Sequence, residues 1–204
     1  MPPPASSALP PDFPRDISRE DMLALPIRRY AGEILLVATP EDLERASADI
    51  GAEAVLGWDT ETRPAFRKGE EYLPSLVQIA TERAVYLFQL SRAGLAAPIA
   101  GFFAAPAIVK AGISVAGDLR QLKRVFPFEE QSVIDLGTAA RRHGLEQTGL
   151  RNLAGIFLGI RIPKGAKTTN WATPRLTRQQ IDYAATDAWV CRELYRRFRE
   201  LGLV

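Results

Sequence analysis

AVLGWDTE, residues 54–61, starts apolar and ends on two carboxylates, the composition of a buried strand that emerges at a charged end. Side chains of a strand alternate between its faces, so Asp59 and Glu61 share one face. Like charges a few ångströms apart raise one another's pKa unless a cation lies between them. The pair is therefore either a solvated strand end entering a charged loop or part of a site for a divalent ion. Two further β-rich segments follow, SLVQIATE (75–82) and AVYLFQL (84–90), and the short polar link between the last two predicts antiparallel hairpins.

Upstream, ILLVA (34–38) reads as a strand. Thr39, Pro40, Glu41 and Asp42 then supply an N-cap, a first-turn proline and early acids for a helix through about Asp49. Downstream, 95–104 reads as helix, and AIVKAGI (107–113) and SVIDL (132–136) read as strands around the amphipathic GDLRQLKRVF (117–126), a β-α-β unit. From Gly137 onward helix dominates apart from a loop over Ile162–Pro174, and the chain closes on a long amphipathic helix from about Arg178 to Leu201. The expected architecture is α/β, a mixed sheet of about five to six strands flanked by helices.

At 204 residues, with 47% hydrophobic and 25% charged residues, the chain has enough apolar material for one sizeable core. Residues 1–14 hold six prolines and few large apolar groups. The expectation is a flexible Pro-rich tail over 1–24 and one folded domain over 25–204. One cysteine, Cys191, excludes an internal disulfide framework and thiolate metal clusters, and one histidine, His143, excludes multi-imidazole sites. Any metal site must rest on carboxylates, which favour hard cations such as magnesium or manganese. The apolar run 93–109 is broken by Gly94, Pro98, Gly101 and Pro106, short of the ~20 residues of a membrane span. The N-terminus lacks the basic and apolar regions of a secretory signal, so the expected location is cytoplasmic with no membrane partner. A net charge of +2 permits a nucleic-acid partner without arguing for one.

Two more acids complete a pattern. Tyr183 and Asp187 stand four apart in IDYAATDAWVCRELYRRF, so phenol and carboxylate share one helical face. Small and apolar neighbours (Ala184, Ala185, Ala188, Trp189, Val190) disfavour a merely solvated Asp187, although Tyr183 alone could be core packing. Asp118, at the start of a predicted helix, taken alone reads as a cap or a dipole partner.

Together WDTET (58–62), KAGISVAGDLRQLKRVF (110–126) and YAATD (183–187) resemble the three motifs of the DEDD-superfamily 3′–5′ exonucleases, tyrosine subtype, on a ribonuclease H-like fold. The resemblance covers nearly all of 30–202. It is closest to the Werner-syndrome exonuclease domain and next to ribonuclease D catalytic domains. The histidine subtype places its base five residues before the last acid, where this chain has Asp182, so that subtype is excluded.

The resemblance implies that Asp59, Glu61, Asp118 and Asp187 ligate two divalent ions, Mg2+ or Mn2+, and that Tyr183 holds the water attacking the terminal phosphodiester. It implies stepwise release of nucleoside 5′-monophosphates from single-stranded or recessed 3′ ends. The lead-in Ala111-Gly112-Ile113-Ser114 resembles the Werner-type variant and leans the substrate toward DNA. A ribonuclease D-like RNA 3′-end processing enzyme is the alternative. A silent nucleic-acid-binding module is a further one, against which the intact acids argue, and an endonuclease on the same fold is disfavoured by Tyr183. Ribonuclease D carries helical modules beyond its catalytic domain, so reach and substrate choice are expected to come from the exonuclease domain itself or from protein partners.

Leu76 and Gln78 resemble positions beside the substrate terminus, though strand residues are commonly packing. Lys164, Lys167, Asn170 and Trp171 form a basic, aromatic segment that either grips phosphate and stacks a base or anchors the loop. Arg63, Arg67 and Lys68, like Arg120, Lys123 and Arg124, read mainly as solvated charge. Asp135 reads as a helix cap and His143 as a helix-end residue, neither with a catalytic role.

Overall fold

Along the chain the computed structural model runs α1 (Arg19–Ala24), β1 (Glu33–Leu36), α2 (Pro40–Gly51), β2 (Val55–Thr62), β3 (Pro74–Ala80), β4 (Ala84–Gln89), α3 (Ala96–Ala104), β5 (Val109–Gly112), α4 (Ala116–Val125), β6 (Val133–Asp135), α5 (Leu136–Arg142), α6 (Leu150–Leu158) and α7 (Arg178–Glu200). Residues 9–67, 69–165 and 169–204 are described. Local chemistry sets the helix starts. Thr39 and Thr177 each close a capping box, with Asp42 and Gln180 as the reciprocal partners. Among the described residues no helix is long and apolar enough to cross a membrane.

Six strands form one mixed sheet in the order β1-β4-β3-β2-β5-β6. The β2–β3 and β3–β4 pairs are antiparallel, the second as its three-residue link over 81–83 requires, while β5 lies parallel to β2, β6 parallel to β5 and β1 parallel to β4. The register sets Asp59 opposite Gln78 and Glu61 opposite Leu76, and a shift between Glu61 and Thr62 ends the regular ladder just past the second acid.

One face of the sheet packs Trp58, Val77, Ile79 and Phe88 against Phe103, whose ring meets Trp58 edge-on at 4.7 Å. The other face carries α7. There Leu76, Ala80, Val85 and Leu87 pack against Ala184, Ala185 and Ala188, small residues that let the helix come close. At Gly57 the approach is closer still, because a Cβ there would lie 2.1 Å from the Ala188 carbonyl oxygen. Only glycine lets α7 cross β2 at this height. Further along, Arg192 sits buried on α7 and pairs with Glu53 at 3.3 Å, tying the helix to the start of β2.

The sheet and helices match the expected α/β architecture, but the N-terminal expectation fails. Residues 9–24 are part of the folded body. Leu9 is buried, Phe13 stacks on Phe157 at 5.1 Å, Arg15 donates to the His143 carbonyl, and Ile17 N–H donates to Gln147 Oε1 at 3.3 Å. The prolines suggested a tail, yet the few apolar residues between them each find a place on α6 or beside it. The remaining expected tail residues, 1–8, lie outside the described residues.

Candidate active site

Three backbone devices bring the acids together. Strand alternation aims Asp59 and Glu61 toward α7, and the close crossing at Gly57 lowers α7 onto them. One helical turn then sets Asp187 above the pair with Tyr183 beside it. Single carboxylate oxygens of Asp59, Glu61 and Asp187 all lie within 4.8 Å of one another, with Glu61 and Asp187 buried. Uncompensated, such a trio is strained by mutual repulsion. An all-oxygen donor set of this spacing fits hard divalent cations.

Asp118 reaches the same groove by a different route. Ser114, in the left-handed region at φ 59°, turns the chain sharply from β5 into α4, and Asp118 follows in the first turn of the helix. Thr60 Oγ1 donates to Asp118 Oδ1, while burial pushes the Asp118 carboxyl up from its ordinary pKa. Asp118 therefore stands at the rim of the acidic trio, held by its neighbour. Asp135 keeps its expected capping role, accepting from Thr138 N–H at 3.0 Å, and also accepts from Val115 N–H at 3.3 Å, which fixes the turn that aims Asp118.

The Tyr183 phenol is hydrogen-bonded to Asp187 and lies against the backbone of Gly165, where a Cβ would fall 1.6 Å from the ring. Burial, then the negative field of Asp187, Glu61 and Asp59, raises its pKa well above the ordinary tyrosine value. Burial and that field favour the neutral phenol of Tyr183, which donates to Asp187. The Cys191 thiol is buried beneath the groove, and burial followed by the field of Asp59 and Asp187 pushes its pKa up, which keeps it an inert thiol.

All five residues line one groove of about 930 Å³. Lys164 lines it too, exposed, while Lys167 and Lys68 lie outside the described residues. Three expected substrate residues are placed elsewhere. Leu76 and Gln78 are completely buried, because α7 roofs the sheet face they share with the acids, and Trp171 is 1% exposed. Its indole packs 6.1 Å from the Tyr183 ring, so it anchors the loop and props the tyrosine instead of stacking a base. Arg124 and Lys123 form ion pairs with Glu71 and Glu130 away from the groove, and Arg63 lies over the Tyr72 ring at 4.6 Å. His143 is the α5 C-cap. Residues the sequence reading missed are Thr60, hidden between the two acids, and Arg19 and Arg151, which line the groove from α1 and α6.

A family profile described as 3′–5′ exonuclease matches residues 34–202. Among relatives, the mouse bifunctional 3′–5′ exonuclease/ATP-dependent helicase WRN is 28% identical over 188 residues, covering 87% of this chain and 13% of the mouse protein. A 3′–5′ exonuclease of Arabidopsis thaliana is 27% identical, covering 86% of this chain and 67% of that one. Ribonuclease D of Acidiphilium cryptum is 30% identical, covering 82% and 43%. This chain therefore spans under half the length of the mouse and Acidiphilium relatives. In solved structures the fold matches the Nibbler EXO domain of Aedes aegypti with a TM-score of 0.76 at 21% identity, covering 85% of this chain and 92% of that one. It also matches Escherichia coli RNase D with a TM-score of 0.71 at 22% identity, covering 84% and 44%.

Proposed function

The chain belongs to the 3′–5′ exonuclease family, and on that premise we propose that its groove hydrolyses the terminal phosphodiester of a nucleic-acid strand from the 3′ end, with release of nucleoside 5′-monophosphates. The carrying observation is the convergence of Asp59, Glu61 and Asp187 within 4.8 Å beside the phenol of Tyr183. Asp59, Glu61 and Asp187, with Asp118 at the rim, would hold two divalent ions, Mg2+ or Mn2+. Such ions supply Lewis acidity to a phosphodiester and its attacking water, so no covalent intermediate is required.

The chain's own groups do the positioning. Tyr183, kept neutral, donates its one proton to Asp187 and accepts from the attacking water, which orients it, the role of the tyrosine subtype. Asp187, bonded to that phenol, links the water to the acidic floor. Thr60 holds Asp118 at a fixed aim, and Trp171 keeps the Tyr183 ring from turning away. Rigid placement of this kind lowers the barrier by orientation. DNA is the favoured substrate, supported by the Werner-type lead-in Ala111–Ser114. RNA is the second reading, favoured by the similarity to ribonuclease D over 82% of the chain.

A time course on 5′-labelled single-stranded DNA, recessed-end duplex and RNA tests this. With Mg2+ or Mn2+, the labelled strand shortens as a ladder from its 3′ end, and chelator stops it. The strand that shortens fastest assigns the sugar preference. Strands that are bound yet stay intact with either ion overturn the hydrolytic reading in favour of a silent binding module.

A further inference from the structure

The groove is larger than the reaction centre needs. About 930 Å³ lies at the top of the roughly 300–1,000 Å³ range that holds one drug-sized ligand, so it accommodates more of a strand than its last nucleotide. Away from the acids its wall is shared between α6 with its flanking segments and a strap, residues 9–25, that precedes the family-matched span 34–202 and contributes Ile17, Ser18, Arg19 and Met22. The strap is fastened on both sides of Arg19. Ile17 is held by its N–H bond to Gln147, and Met22, Ile17 and Leu25 press onto Gly155 of α6, where a Cβ would lie 2.8, 3.0 and 3.4 Å from their terminal carbons. Arg19 of the strap and Arg151 of α6 both line the groove. The Arg151 Nε is buried without a hydrogen-bond partner among the described residues. Neither the Arg19 nor the Arg151 guanidinium is paired with a carboxylate among the described residues, so both charges are open to an anionic ligand in the groove.

We propose that the N-terminal strap is a strand-binding wall, and that Arg19 and Arg151 contact phosphates of the nucleic acid on the part of the strand beyond the reacting bond. The assignment rests on the nuclease reading above for the identity of the anion. Guanidinium is suited to this task because its planar fork pairs with two phosphate oxygens at once. The acidic floor repels a polyanion, and the two cations of the wall offset that repulsion along the strand's path.

The test is a fluorescence anisotropy titration of a 5′-labelled 12-nucleotide single strand at several salt concentrations, with Ca2+ present, alongside steady-state cleavage with Mg2+. Arg19→Glu and Arg151→Glu are expected to weaken binding by about tenfold or more each and to lower the slope of log K against log salt by about 0.7 per lost phosphate contact. In cleavage they raise KM far more than they lower kcat. Gly155→Leu, which displaces the strap without altering charge, moves binding in the same direction. Arg196→Glu, the same charge reversal at the far end of α7, leaves affinity and slope unchanged. Folded Arg19→Glu and Arg151→Glu variants with wild-type affinity and slope overturn the proposal while leaving the nuclease reading standing. Wild type that binds with these sensitivities but cleaves nothing overturns the nuclease reading and keeps the wall. Wild type that does not bind the strand overturns the wall.

Discussion

The two walls of the groove are built on opposite principles. On one side β2 and α7 meet at van der Waals distance, their polar groups aimed by strand alternation and a helical turn, with the Ala188 carbonyl set directly over Gly57. On the other, residues 9–25 lie over α6 and its neighbours, held at points spread along the strap: buried Leu9, the Phe13–Phe157 ring pair, the Arg15 guanidinium on the His143 carbonyl, the Ile17 amide on Gln147, and Ile17, Met22 and Leu25 against Gly155. The difference teaches that the acids sit where two elements are packed most tightly, while the proposed grip on the strand would rest on a segment laid over the surface of its neighbours.

The first way to break this contrast is to attack the chemical wall at its acids. Asp59→Ala is expected to lower cleavage on the order of 10³-fold or more while leaving the melting temperature unchanged or higher, since it removes a ligand and relieves crowded charge. A folded mutant with full activity would sink the metal-site assignment. Gly57→Val strikes the same wall through its packing. The new side chain meets the α7 backbone, and a stability loss of about 3 kcal/mol or more, read by denaturant unfolding, is expected. On the strap, Phe13→Ala should cost only about 1–2 kcal/mol, because Phe13 is half-buried and its loss opens no enclosed cavity. A Phe13 variant as damaging as the Gly57 variant would show that the two walls are one cooperative unit.

The same contrast governs what could be read from the sequence. The spacings of Asp59 with Glu61 and of Tyr183 with Asp187 are local, two along a strand and four along a helix, so they are legible without knowing the fold. The β3–β4 hairpin and the β5-α4-β6 crossover were legible for the same reason, since a three-residue link forces antiparallel pairing and an intervening helix allows a parallel one. The Thr60–Asp118 bond joins residues 58 positions apart and leaves no local trace. Trp171 fits a stacking platform and a core anchor equally until burial decides for the anchor. Leu76 and Gln78 lie on the same sheet face as the acids, and only the position of α7 shows that this face is roofed over them. The strap was hidden by its prolines, whose composition suggests disorder although Leu9, Phe13, Ile17 and Met22 each find a partner surface.

Helix α7 carries Tyr183 and Asp187 on the same 23-residue segment that supplies Ala184, Ala185, Ala188, Val190, Leu194 and Phe198 to two separate hydrophobic clusters. Its middle cannot fray, and the catalytic end has no cooperative unit of its own. Amide hydrogens over 184–198 are therefore expected to be among the slowest to exchange with solvent, which hydrogen-exchange mass spectrometry checks. Heat or denaturant should then extinguish activity and secondary structure in a single transition, with no inactive but folded species in between.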